Sequence, residues 1–439
     1  MIIQNNKNPK IPSFHGYDAR KLSGFVMNSN YAGIADEMRK IGELENFKVF
    51  LFQNIDGQIA LKTDKFQKSI QHNGCWAQDA WGIVKNTLLA RENLEKTQIL
   101  RNIFNLKPNK IQSEVQDEFG LAKTQAYVDF LYNLPKSRQN GKEVVLVKTE
   151  EGLEAIDKRI FDQEFDMNVK ILKNLSNHCH VKGGNYFITQ APTGENELLI
   201  GKNELKKFSP AQIKEMFKTE KVHIVQQADF HIDLFIRPLK DKKVLIADDE
   251  MMSKVLKDGF QKIKELILNK PATEREKYRE VFVKTGTYAQ VFDKIIDKNP
   301  YASMKTVEES LLKAGYEPIK VPGRLFEIIK GSKDDPECAD GLILKHLQNY
   351  LNANVLINDK NELVYIKNKS NLDKSLGITK EIQEETGFSL EKAFLDAIKP
   401  HIDKIYFVSG ENNAIAEKLL PEYFGGIHCM SMEIPKSVI

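Results

Sequence analysis

The sequence predicts a mixed α/β protein in which a strand pair, a helix and a further strand recur along the chain. Three observations carry the prediction. From residue 178 onward, short apolar runs of strand length alternate regularly with stretches of helical periodicity. Boundary signals fall between them: in Ser209-Pro210-Ala211-Gln212, Ser is the cap, Pro lies in the first turn and Gln holds the capping-box position. At 439 residues, 41% hydrophobic and with 24 Phe, the chain exceeds one average domain, but a repetitive architecture can use that length as one unit. No sequence self-similarity accompanies the recurrence, so the repeat is one of element order.

Residues 1–20 are polar and contain proline, which predicts a poorly ordered arm ahead of a main body at 21–439. A helix is expected over 31–43 and a strand over 47–52. A turn at Asp56-Gly57 and a short strand at 58–61 follow, with another strand at 81–84. Residues 85–140 read as an inserted helical subdomain, because Leu88, Leu89, Leu94, Ile99, Leu100, Ile103, Phe104, Tyr127, Phe130 and Leu131 recur at roughly helical spacing. Its boundary is the turn-rich 135–141. A strand over 144–147 and an amphipathic helix to about Leu175 lead back to the body. Strands are expected at 180–189, 197–201, 222–226, 229–236 and 243–247, with a turn at Pro192-Thr193-Gly194. Met252, Val255, Leu256, Phe260, Ile263, Leu266 and Ile267 then make a strongly amphipathic helix. Further helices occupy about 272–315. Strands at 317–321, 355–357, 363–366 and 404–408 complete the pattern, the last preceded by a helix capped by Ser389 and stopped before Pro400.

Four short motifs carry chemistry. Gly425-Gly426-Ile427-His428-Cys429 places a cysteine after two glycines that let the backbone approach a ligand closely. A thiol so placed can act as a nucleophile once ionised, though a lone Cys is as readily a buried structural residue. In Asp229-Phe230-His231-Ile232-Asp233, strand alternation would project His231 and Asp233 from one face, an acid/base beside a cation clamp. Trp76-Ala77-Gln78-Asp79 and Lys182-Gly183-Gly184-Asn185-Tyr186 complete the set.

In this order the motifs resemble the guanidine-modifying enzymes of the pentein fold: agmatine deiminase, arginine deiminase and peptidylarginine deiminase. The resemblance spans about 76–435 and implies a five-bladed α/β propeller of ββαβ units around a polar centre. Trp76-Ala77-Gln78-Asp79 is similar to the vertebrate peptidylarginine enzymes, Gly183-Gly184-Asn185-Tyr186 to the bacterial ones, and the glycine pair before His428 to agmatine deiminases. The subfamily is thereby mixed, and the choice of substrate stays open.

The resemblance implies roles. A guanidinium is a planar cation that carboxylates grip bidentately, so Asp79 and Asp233 would be its clamps. Cys429 would attack the central carbon, and His231 would give a proton to departing ammonia and then take one from water. Trp76 would stack on the guanidinium or pack in the core. Gly184, Asn185 and Gly426 would line the pocket, while Gln78 and His428 would support it from behind. The expected reaction converts a guanidino group of agmatine or of a peptidyl arginine into a ureido group plus ammonia. The alternatives are an amidinotransferase and a pentein-fold binding protein without catalysis. The vertebrate enzymes bind calcium with acids whose matching positions here are Gly82 and Phe187, so no cofactor or metal is expected.

Other features exclude more than they assign. A net charge of +3 with 28% charged residues gives no case for a nucleic-acid partner. No apolar run approaches bilayer length and no apolar signal core opens the chain, so a cytoplasmic protein without membrane contact is expected. Cys75, Cys179, Cys338 and Cys429 show no metal spacing. His178 and His180 flank Cys179 too closely for usual ligation. Arg324 beside Gly323 would meet a substrate carboxylate or simply occupy a turn.

Overall fold

Strand pairing in the computed structural model repeats one pattern five times among the described residues, which are 2–4, 18–19, 21–28, 32–52, 77–91, 95–150, 152–191, 195–331, 338–370, 372–410 and 425–437. Each unit is an antiparallel strand pair, a connecting helix and a further strand parallel to one of the pair. Trp76, Cys75, Leu94, the turn at 56–57, the strand expected at 58–61, the turn at 192–194 and most of the 1–20 arm lie outside the described residues.

In chain order, β1 (Leu22–Asn28) is joined by α1 (Ala32–Glu45) to the parallel β2 (Lys48–Phe52). The short α2 (Ala77–Ala80) runs directly into β3 (Trp81–Val84), which pairs antiparallel with β4 (Thr87–Ala90). Leu88 and Leu89, expected in a helix, therefore sit on a strand. Lys85 adopts φ 53° in the tight turn between the two strands, and the hairpin overrides the apparent helical spacing.

Three helices follow, at Glu95–Ile103, Lys110–Glu118 and Leu121–Tyr132. The segment at 135–141 then opens an antiparallel three-stranded sheet, Lys136–Gln139, Lys142–Thr149 and Gly152–Asp157. Its first hairpin turns at Asn140-Gly141, both with positive φ, as the tight hairpin turn requires. Residues 95–157 thus combine helices with a small sheet.

A long helix, Lys158–His178, returns to β5 (Tyr186–Gln190), paired antiparallel with β6 (Asn196–Gly201). Capped as expected by Ser209 and Gln212, α3 (Pro210–Phe217) leads to β7 (Val222–Val225), parallel to β6. The next unit comprises β8 (Ile236–Pro238), β9 (Lys243–Ala247), α4 (Asp249–Asn269) and β10 (Glu317–Val321). A hairpin of β11 (Arg324–Lys330) and β12 (Leu342–Asn349) then precedes β13 (Asn354–Ile357), β14 (Leu363–Asn368), α5 (Leu390–Ile398) and β15 (Lys404–Val408). The last strand, β16 (Ser431–Pro435), pairs antiparallel with β1, so the unit containing α1 is assembled from both ends of the chain.

The 1–20 segment contributes two short strands. Ile2–Gln4 pairs with β15, and Asp18–Ala19 pairs with β5. The largest apolar core lies under α4 and α5, where Leu256, Ile263, Phe292, Phe326 and Phe394 are buried together. Cys429 and Met430 belong to a second core, with Phe25, Met27 and Tyr406. No helix among the described residues is long and apolar enough to cross a membrane.

Candidate active site

Three turns, rather than strands, bring the chemistry together. Residues 427–430 form a turn before β16, closed by Met430 N–H to Gly426 O at 3.2 Å and Ser431 N–H to His428 O at 3.1 Å. Strand geometry would send His428 and Cys429 to opposite faces; a coiled turn spaces consecutive side chains by only about 100°. Both therefore face one carboxylate. The strand expected over 229–236 is likewise broken. His231 is extended, Ile232–Leu234 make one 3-10 turn, and β8 begins only at Ile236. Asn185 Oδ1 accepts from Ile232 N–H at 3.2 Å and holds this turn in place. Gly183–Asn185 form another 3-10 turn ahead of β5, where a continuous strand was expected.

Asp233 is the hub and is fully buried. Its Oδ2 lies 2.8 Å from His428 Nδ1, 2.9 Å from Asn352 Nδ2 and 3.6 Å from Cys429 Sγ. Asn352 Nδ2 also reaches Cys429 Sγ at 3.1 Å. Asp233 Oδ1 has no hydrogen-bond partner among the described residues. Gly184 lies against this oxygen: a Cβ there would come within 2.5 Å of His231 Nδ1 and 3.0 Å of Asp233 Oδ1. His231 and Asp233 thus converge over a glycine whose missing side chain leaves them room.

His428 is held from its other side as well. Gln78 Nε2 lies 3.0 Å from His428 Nε2 and donates to Gly183 O at 3.0 Å. In this pattern the imidazole is neutral, with Nδ1–H donating to Asp233 and the Nε2 lone pair accepting an N–H from Gln78. Burial pushes the His428 pKa down, the nearby Arg237 charge adds to this, and together they outweigh the Asp233 hydrogen bond. Burial pushes Asp233 up, but the His428 hydrogen bond and the charges of His231 and Arg237 prevail, leaving it below the usual carboxylate range.

Of the other residues singled out in the sequence, Asn185 is structural in its contacts. Its carbonyl accepts from Gln227 at 2.9 Å as well as from Ile232, and its amide donates to Glu204 at 2.9 Å. Asp79 belongs to α2 beside Gln78, whose backbone N–H donates to Cys429 O at 3.2 Å. Gly426 packs on Asn352: a Cβ there would approach Asn352 Oδ1 to 2.7 Å. Arg324 lies away from solvent in a buried ion cluster. It donates to Asp249 through Nε and Nη2 at 2.8 Å each and to Asp229 at 2.9 Å, which removes it as a contact for a substrate carboxylate.

Two residues at the site carried no motif. Asn352 stands in Asn349-Tyr350-Leu351-Asn352-Ala353-Asn354, whose three asparagines are all buried; a cluster of amides ahead of an apolar strand was the available signal. Arg237 is a buried cation on the apolar β8, stacked 4.7 Å over Phe187 and donating to Leu351 O at 3.3 Å. Beyond His428, residues including Gln78, Tyr186, Phe187, Arg237 and Glu433 border a cavity of about 40 Å³.

Among the described residues, the donor set here does not fit calcium. The Gln78 side chain offers one neutral oxygen, Oε1, which has no hydrogen-bond partner among the described residues, and the Tyr186 hydroxyl fills the space at Gly82, where a Cβ would lie 1.9 Å from it. The buried charge beside Phe187 is a guanidinium, and no group of three or more acidic, His or Cys side chains among the described residues could hold a metal. Around Cys179, His178 Nδ1 lies 2.8 Å from Asn174 O and His180 Nδ1 lies 2.9 Å from Gln112 Nε2, contacts of ordinary structural histidines.

No family model matches the chain, and no curated protein matches it. Ten chains of solved structures do match. One of them is C. jejuni agmatine deiminase, at 13% sequence identity and a TM-score of 0.35, the match covering 99% of this chain and 96% of that one. The functional case therefore rests on the geometry around Asp233.

Proposed function

We propose that the chain is a cysteine-dependent hydrolase of guanidino groups, releasing ammonia and leaving a ureido group. The observation that carries the reading is the two-sided use of Asp233. One oxygen is taken by His428, Asn352 and the approach of Cys429, while the other is buried and unpartnered beside His231. An unpartnered, buried carboxylate oxygen beside an imidazole, with a thiol at the other oxygen of the same group, suits a cation with several N–H donors.

In this reading Asp233 Oδ1 accepts a guanidinium N–H, and Asp79 on α2 supplies a second carboxylate. Cys429 Sγ bonds to the guanidinium carbon, and His231 gives a proton to the nitrogen that leaves as ammonia. Water, losing its proton to His231, then adds to the S-amidino carbon. Collapse breaks the C–S bond, yielding the ureido product and free thiolate. Each turnover consumes one guanidinium and one water and releases one ammonium. The five strand-pair units are read as blades of a pentein propeller around this centre.

The test is incubation with agmatine, free arginine and an arginine-containing peptide, measuring ammonia and ureido product. At least one substrate is expected to turn over, and Cys429→Ser is expected to abolish turnover because a hydroxyl is not ionised near neutral pH. Inert behaviour with all three guanidines would remove the reading, and a Cys429→Ser variant as active as wild type would remove the covalent step.

A further inference from the structure

The loop between β12 and β13 lies outside every motif, yet it carries an amide 3.1 Å from the Cys429 sulfur. We propose that Asn352 stabilises the ionised Cys429 sulfur beside Asp233, and that Asn349 is the positioning residue that sets Asn352. The proposal rests on Cys429 being the nucleophile.

Asn352 Nδ2 has two hydrogens and two acceptors, Asp233 Oδ2 at 2.9 Å and Cys429 Sγ at 3.1 Å. The amide orientation follows, since a carbonyl oxygen in that place would set two acceptors against each other at 2.9 Å. A thiolate 3.6 Å from a carboxylate oxygen is repelled by it. An amide that gives one N–H to each group offsets that repulsion where it is strongest. The seat for this amide is cut into the nucleophile's own turn. A Cβ at Gly426 would come within 2.7 Å of Asn352 Oδ1 and 3.1 Å of its backbone oxygen. The glycine three residues before the cysteine thus admits the asparagine.

Asn349 joins the two neighbours of the sulfur. Its Oδ1 accepts from Leu351 N–H at 2.9 Å and Asn352 N–H at 3.1 Å, while its Nδ2 donates to Leu234 O at 2.6 Å, one residue beyond Asp233. The clip is anchored in turn. His346 Nδ1 lies 3.4 Å from Asn349 Nδ2, and His346 Nε2 lies 2.8 Å from Asp229, which Arg324 also holds. Among the described residues, the charged and titratable groups around the sulfur include Asp233, His428 on the same turn and Arg237 from β8, with His231 acting on Asp233 and Glu433 on His428 and Arg237.

The test is the pH profile of Cys429 alkylation by iodoacetamide on the full chain, read at that residue by peptide mass spectrometry. This readout needs no substrate. Asn352→Ala is expected to raise the pH of half-maximal alkylation rate by about one unit or more. The isosteric Asn352→Asp removes the donors and adds charge, so a larger rise is expected. Asn349→Asp keeps the acceptor and loses the donor to Leu234, so a smaller rise in the same direction is expected. A folded Asn352→Ala with a wild-type profile overturns the proposal, and Asn352→Asp decides by the same criterion if the alanine variant does not fold. An unmoved Asn349→Asp profile overturns the part assigned to Asn349. Shifted profiles in a chain inert to every guanidine leave this inference standing and remove only the proposed reaction.

Discussion

His428 and Cys429 are neighbours in the chain, and both meet one oxygen atom, Asp233 Oδ2, at 2.8 Å and 3.6 Å. A single carboxylate therefore fixes the tautomer of the histidine and the surroundings of the thiol. It does so with one oxygen only.

Substitution at this carboxylate follows directly. Asp233→Asn removes the charge that would hold a guanidinium and places an amide where His428 donates. A hydrogen bond to a charged group contributes about 1.5–3 kcal/mol, so kcat/KM should fall about tenfold or more. Steady-state kinetics on whichever guanidine turns over provides the measurement; unchanged kinetics would take Asp233 out of the site.

Stability should depend on pH in a defined sense. Asp233 and His428 both have folded pKa values below their unfolded ones. The unfolded chain therefore binds more protons as pH falls, and the stability linked to each group is complete above its unfolded pKa and lost on acidification. The His428 component should begin to disappear below about pH 6.5 and the Asp233 component below about pH 3.9. Thermal melts from pH 7.5 to 5 should show a falling midpoint in the wild type and a shallower fall in His428→Gln. A wild-type midpoint that rises over this range would contradict the neutral, buried state of His428.

The ion cluster behind the site should be costly to break. Arg324 is buried with Asp229 and Asp249, so Arg324→Met takes the guanidinium from both carboxylates and leaves Asp229 its contact with His346. Removing one partner of a buried ion pair costs about 3–5 kcal/mol. The denaturation midpoint should drop accordingly, with Arg324→Lys intermediate because one ammonium cannot reproduce the forked contact with Asp249. A loss below about 1 kcal/mol would show that the cluster is hydrated in solution.

Calcium should leave the protein indifferent. Tyr186 fills the space at Gly82, and Arg237 brings a positive charge to Phe187. Reaction rates in excess EGTA and in millimolar calcium should agree, and calcium should not shift the melting midpoint. Strong activation would reveal oxygen ligands beyond those described.

The outline of this fold was legible because local signals were honest over much of the chain. The capping box at Ser209 and Gln212 starts its helix as read, and the apolar runs at 243–247, 317–321 and 404–408 are strands of those bounds. Residue types at the site were legible too, since Cys429, His231, Asp233 and Gly184 declare their chemistry by identity. Their arrangement was not. His231–Leu234 alternates like a strand but turns, because Asn185 holds the Ile232 amide from 47 positions away. The contacts that make the site are longer still: 195 positions separate His428 from Asp233, and 350 separate it from Gln78. The unit built from β1 and β16 exists only once the two ends of the chain pair. Sequence fixes what each segment can offer through propensity and side-chain chemistry. Which carboxylate oxygen is used, and which asparagine reaches the sulfur, depends on segments meeting in space, and no local pattern encodes that.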